Sequence, residues 1–156
     1  MPNDALERAF SDYVQLCAVN HPSLGALHYY TAGQPGTAGQ PPVVTSDGAE
    51  GFALPSASFE LGQNEDLHAN TSVGTGNLVI LLETHADDEA EDTHIARQLA
   101  VVAILRPHRQ VSAFITASTA PVRVYGYSLG TVTRELDPTT RRWTSTIPLE
   151  VGYRLR

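Results

Sequence analysis

Residues 143–155 read Trp-Thr-Ser-Thr-Ile-Pro-Leu-Glu-Val-Gly-Tyr-Arg-Leu, an alternation that puts Trp143, Ile147, Leu149, Val151, Tyr153 and Leu155 on one side and Thr144, Thr146, Glu150 and Arg154 on the other. Side chains on a strand point to opposite faces with a period of two, so this stretch reads as a long strand with one buried face. The preceding segment, 122–136, is also strand-like but is interrupted by Gly126 and Gly130. Its apolar residues change phase between Val122/Val124 and Tyr125/Tyr127/Leu129, which predicts a bulge or bend. Asp137-Pro138 supplies the turn, and the two segments form a terminal hairpin.

Working back toward the N-terminus, Leu78–Leu82 is a continuous apolar run, expected at the centre of the sheet and covered on both faces. Gly74-Thr75-Gly76 before it reads as a turn, since it lacks the lysine of a phosphate loop and leads into a strand. Ser56–Leu61 alternates, with Ala57, Phe59 and Leu61 inward and Ser58 and Glu60 outward.

Two helices are predicted. The first spans about residues 4–18, capped by Asn3 or Asp4 and lined on one face by Leu6, Phe10, Tyr13, Val14 and Cys17. The second follows the acidic segment His85–Asp92, carries Ile95, Leu99, Val102 and Leu105 as its apolar face, and ends at Arg106-Pro107. Asp88 and Glu91 have capping-box spacing, and the acids at this end suit the positive end of the helix dipole. Residues 31–51, rich in Gly, Pro, Ala and Gln, read as a flexible loop or arm, in which Val43 and Val44 could form a short edge strand. The expectation is one α+β domain spanning 1–156. It has a mostly antiparallel sheet of four to five strands with two helices on one face, in the order α-β-β-α-β-β.

Composition narrows the function classes. Ten Lys+Arg against 17 Asp+Glu give a formal charge of −7, which disfavours a grip on nucleic-acid phosphates. Nowhere do about 18 uninterrupted apolar residues occur, and the chain starts without a basic-then-apolar leader, so it is expected in the cytosol of the cell that makes it, with no membrane partner. The single cysteine, Cys17, reads as a small core residue.

Three motifs invite chemistry. Gly126-Tyr127-Ser128-Leu129-Gly130 matches the nucleophile-elbow pattern. An elbow needs a strand-to-helix turn and a later histidine, whereas all six histidines precede Ser128 and Thr-Val-Thr-Arg follows it. His85, Asp87, Asp88, Glu89, Glu91, Asp92 and His94 hold enough donors for a divalent metal, yet the histidines are nine apart instead of four, and a solvated helix start is the plainer reading. Tyr29-Tyr30, Tyr125 and Tyr127 could stack bases but are not interleaved with cations; sheet packing accounts better for the latter pair. No catalytic, cofactor-binding or metal-binding residue is assigned, and no enzyme or cofactor is expected.

The arrangement itself resembles the tail-terminator, or tail-completion, proteins of long-tailed bacteriophages. The likeness rests on the N-terminal helix, the strand ending Leu82-Glu83-Thr84-His85-Ala86-Asp87-Asp88, the helix from Thr93 to Leu105, and the hairpin from Thr133-Arg134-Glu135-Leu136-Asp137 to Arg154. It covers about residues 4–18 and 55–155, and the chain departs from it through the loop at 31–51. The resemblance implies a structural virion protein at the head–tail junction, a homo-hexameric ring. Such a ring would cap the major tail tube protein and dock to the head–tail connector, with DNA only as passing cargo. Other head–tail joining, minor tail or tube proteins are the alternative, and a small metal-dependent or serine hydrolase a remote one. A ring places one patch of each subunit against a different patch of the next. Asp87, Asp88, Glu89, Glu91 and Asp92 could there meet Arg134, Arg141, Arg142 and Arg154, with pairing inside one chain or plain solvation as equal alternatives.

Overall fold

A computed structural model describes residues 2–31, 43–44, 50–51, 54–61, 73–118 and 122–155. In chain order the elements are α1 (Pro2–Ala18), β1 (His28–Thr31), β2 (Val43–Val44), β3 (Glu50–Gly51), β4 (Ser56–Leu61), β5 (Val73–His85), α2 (Glu91–Leu105), α3 (His108–Ser118), β6 (Val122–Leu129), β7 (Thr133–Asp137) and β8 (Arg142–Leu155), with a 3-10 turn at Pro22–Leu24. The six-stranded sheet runs β1-β4-β5-β8-β6, and β7 also pairs with β8. Only β1 against β4 is parallel; the other pairings of this sheet are antiparallel.

The terminal hairpin organises everything else. β8 pairs along its length with β5, from Val73↔Arg154 to His85↔Arg142. Its other side is shared, with β6 taking Leu149–Leu155 and β7 taking Arg142–Thr146. The expected bulge falls between Val124 and Gly126. At the break between β6 and β7, Gly130 donates its N–H to the Pro148 carbonyl at 2.8 Å. Within a strand a residue's N and carbonyl point to the same neighbour, so the donor that Pro148 lacks is missing where β6 has ended and β7 has not begun. A Cβ on Gly130 would stand 2.9 Å from Pro148 Cγ, so only glycine lets the chain pass this close. The turn after Asp137 is local chemistry: Asp137 Oδ1 accepts from the N–H groups of Thr139 and Thr140 at 2.8 and 3.2 Å, and Arg141 adopts φ 55°.

The core lies between one face of the sheet and the helices. Ala57, Phe59 and Leu61 on β4, Leu78, Ile80 and Leu82 on β5, and Ile147, Leu149, Val151 and Tyr153 on β8 point the same way. They meet Leu6, Phe10 and Val14 of α1, Val101 and Leu105 of α2, and Val111 and Ile115 of α3. Cys17 packs at the margin of this cluster. Glu7 is buried on α1 and accepts the Leu61 N–H at 2.9 Å, tying the helix to the end of β4.

The α+β class and the antiparallel bulk of the sheet are as the sequence predicts, but the order α-β-β-α-β-β and the count of two helices and four to five strands need correcting. β1 and α3 are additional, and Val43–Val44 pairs with Glu50–Gly51 in a two-stranded ribbon of its own, not as an edge of the main sheet. The remainder of the loop expected at 31–51 lies outside the described residues apart from Thr31, which ends β1. Gly74-Thr75-Gly76 is part of β5, paired with Tyr153, Gly152 and Val151, not a turn. Double-sided burial also sits elsewhere than expected. Val79 and Leu81 on β5 are only half-buried on the far face, whereas Ser56 and Ser58 on β4 and Tyr30 on β1 are buried there. Asn3 and Asp4 lie inside α1, which starts at Pro2, and α2 is preceded by Ala90 with no side-chain cap, so neither predicted cap forms. Glu91 and Asp92 do occupy the first turn of α2, as the dipole argument requires.

Candidate functional site

The apolar rows of β5 and β8 end in two hydroxyls. Thr84 continues the row Leu78-Ile80-Leu82, and Ser145 continues the row Ile147-Leu149; both are buried under α2. Facing them is His94, fully buried, with Nδ1 2.8 Å from Thr84 Oγ1 and Nε2 2.8 Å from Ser145 Oγ. One turn on, Arg97 donates to Thr84 Oγ1 at 3.3 Å, to the Ser23 carbonyl at 3.2 Å and to Glu89 Oε2 at 2.5 Å. Ser145 in turn donates to Gln98 Oε1 at 2.6 Å.

Donor accounting fixes the direction of this chain. Arg97 can only donate, so Thr84 accepts from it, and the Thr84 proton goes to Nδ1 of the neutral His94 ring, whose own proton lies on Nε2. Ser145 spends its proton on Gln98, so it accepts the proton of His94 Nε2. The result is a neutral imidazole with every polar atom satisfied. Burial, with the Arg97 and Arg134 charges adding to it, lowers the His94 pKa to about 4. In this arrangement the histidine donates to the serine. A base that activates a nucleophile must accept from it.

Around this clasp lies a charged rim. Arg134 reaches Glu91 at 3.3 Å, Arg141 reaches Asp87 at 2.8 Å, and Arg142 reaches Glu83 at 3.4 Å. The acidic stretch and the hairpin arginines therefore meet inside one chain, while Asp88 and Asp92 face solvent. Glu89 turns inward to Arg97. The Arg154 side chain lies outside the described ones. His85 Nδ1 accepts from the Asp87 N–H at 3.2 Å and lies 3.9 Å from an Asp88 oxygen. Among the described residues no three His, Cys, Asp or Glu side chains converge as metal ligands.

The other sequence motifs are separated from the clasp. Ser128 is an exposed residue within β6, paired with Glu150, and not on a strand-to-helix turn. Tyr127 is buried and donates to the Leu105 carbonyl at the end of α2, which is the sheet-packing role expected of it; the side chain of Tyr125 lies outside the described ones. Tyr29 and Tyr30 are both buried. Thr84, Arg97, Gln98 and Ser145 are not singled out by the sequence reading. The available signal is a pair of polar residues at inward strand positions and a His-x-x-Arg spacing on one helix face.

This geometry is a mixed sheet with three helices laid over one face, a polar lock under α2 and a long hairpin at its margin. The fold has a counterpart in a virion. A chain in the structure described as "Virion of native gene transfer agent (GTA) particle" superposes with a TM-score of 0.55. The match covers 93% of this chain and 91% of that one, at 14% sequence identity. At that identity the likeness is one of fold. No family model and no curated protein matches the sequence. No helix among the described residues is long and apolar enough to cross a membrane.

Proposed function

We propose that this protein is a structural subunit of a phage-like virion and, within that class, a tail terminator. It would form a closed ring, of six copies on the resemblance, that caps the tail tube and offers a face to the head–tail connector. The observation that carries the virion reading is the near end-to-end likeness to a chain of a gene transfer agent virion, with no large part of either chain left over, and the terminator role within it rests on the resemblance of the sequence pattern. The buried polar groups support it. They are consumed in holding α2 on the sheet, with hydrogen-bond directions that leave Ser145 no base and His94 no free acceptor.

In such a ring the outward-facing acid Asp88, together with the rim formed by Asp87, Glu91, Arg134, Arg141 and Arg142, would lie toward the next subunit. An acidic surface also repels passing DNA, as a conduit should.

Mass measurement and negative-stain imaging of the purified protein, alone and mixed with tail tube protein, test the proposal. Closed rings of about six subunits, or arrest of tube growth on addition, are the expected result. A chain that stays monomeric in both preparations and leaves tube length unchanged overturns the terminator reading. A Ser128→Ala variant is expected to assemble as the wild type does.

A further inference from the structure

The outward face of α2 carries a row that the fold leaves uncovered. Asp92, Ala96, Leu99, Ala103 and Arg106 are all exposed, Leu99 at 61%, and half-buried Ile95 and Val102 border them. Residues seven apart on a helix drift by only about 20°, so Asp92, Leu99 and Arg106 lie nearly in line over about 21 Å. Among the described residues neither Asp92 nor Arg106 has an ion-pair partner, although Glu83, Asp87, Glu89 and Glu91 on the neighbouring rim all do.

The row is antisymmetric in charge about Leu99, with an acid seven residues before it and a base seven residues after. We propose that α2 pairs antiparallel with α2 of a second copy of this chain across a two-fold axis passing close to Leu99. In that pairing Asp92 of each copy lies over Arg106 of the other. Each Leu99 enters the space left by the small side chains of Ala96 and Ala103 opposite. A parallel pairing would set Asp92 on Asp92 and Arg106 on Arg106, so the end charges select the antiparallel one. Opposed helix dipoles favour the same orientation. An unrelated helix could cover Leu99, but the equal spacing of opposite charges on either side of it is what self-pairing requires. The contact is isologous, and so separate from the head-to-tail contacts that the proposed ring would use. One helix pair buries an area at or below the low end of specific interfaces, roughly 1,000 Å², so the dimer is expected to be weak and concentration-dependent.

Disulfide trapping tests this directly. In a Cys17→Ala background, the Leu99→Cys variant is expected to give a covalent dimer under mild oxidation, faster than a Thr139→Cys variant altered on the exposed hairpin turn. Adding Arg106→Asp to Leu99→Cys should slow trapping by about tenfold or more, and adding Asp92→Arg as well should restore it. In solution, wild-type mass should shift from one chain toward two, or from one ring toward paired rings, as concentration rises, and Leu99→Glu should abolish that shift with an unchanged circular-dichroism spectrum. Trapping of the Leu99→Cys variant no faster than that of the Thr139→Cys variant, or insensitivity to Arg106→Asp, overturns the proposal. The ring reading fails independently. Mass that stops at two chains with efficient trapping of Leu99→Cys supports the dimer without the ring, whereas rings without such trapping leave the ring and remove the dimer.

Discussion

His94 is neutral and fully buried in the native state, so its titration enters the stability of the whole chain. An unfolded histidine takes a proton near pH 6.5, while the native one holds out to about pH 4. Above the first value neither state carries the proton, and below the second both do. Between them only the unfolded chain is protonated, so stability falls as pH is lowered through that window and levels off beneath it. The gap sets an upper bound of about 3 kcal/mol on the His94 contribution. Urea denaturation at about pH 7 and about pH 4.5 should show a smaller loss in a His94→Gln variant than in wild type. Equal losses in the two would remove the assignment. Gly130 makes a second residue-scale case. Its missing Cβ is what admits the Pro148 ring, and a ring atom cannot swing aside as the tip of a long side chain can. Gly130→Ala is therefore expected to cost about 1–3 kcal/mol through forced backbone movement, read as a lowered urea midpoint with an unchanged m-value.

At the scale of the element, α2 separates two readings of one helix. Counting apolar residues alone puts Ile95, Leu99, Val102 and Leu105 inward; of these only Leu105 is fully buried. The helix is rotated because two of its inward positions are His94 and Arg97, which apolar periodicity cannot count. Their burial is tolerated because Thr84, Ser145, Glu89 and the Ser23 carbonyl await them on other elements. Truncation distinguishes the faces. Ile104→Ala should cost about 2–5 kcal/mol, whereas Leu99→Ala should change monomer stability by less than about 0.5 kcal/mol in thermal or urea melts. The same principle explains what else is legible. The long hairpin, its bulge and the face of α1 follow from local alternation or from a 3.6-residue period, and a sequence shows both directly. β1 is four residues long and parallel to its neighbour, held by a pairing distant in sequence, so no local pattern announces it. α3 is hidden because Pro107 reads on its own as a stop. Its carbonyl also accepts the Val111 N–H and so opens the next helix, on which Val111 and Ile115 stand four apart.

For the whole molecule, the question is whether the hairpin margin and the helical core unfold together. β7 is exposed along its length, and Leu136 and Trp143 pair across the hairpin beyond the apolar core. What joins this margin to the rest is the continuous β5–β8 ladder, the ion pairs of Arg134, Arg141 and Arg142 with Glu91, Asp87 and Glu83, and the clasp of His94 and Arg97 on Thr84 and Ser145, two strand positions from Trp143 at the latter. Trp143 is the single tryptophan, so its emission reports the margin, while far-ultraviolet circular dichroism is dominated by α1, α2 and α3. Near neutral pH the clasp is intact, and both probes should trace one cooperative transition in urea. Near pH 4.5 the unfolded-like, protonated form of His94 is favoured wherever the clasp opens, and opening it releases the margin without breaking the apolar cluster. The Trp143 transition is then expected at lower urea than the dichroism transition, and His94→Gln should largely abolish the pH dependence of the separation. Coincident transitions at both pH values would mean that the ladder and the rim ion pairs couple margin to core, leaving the buried histidine to fix the rotation of α2 without holding the hairpin.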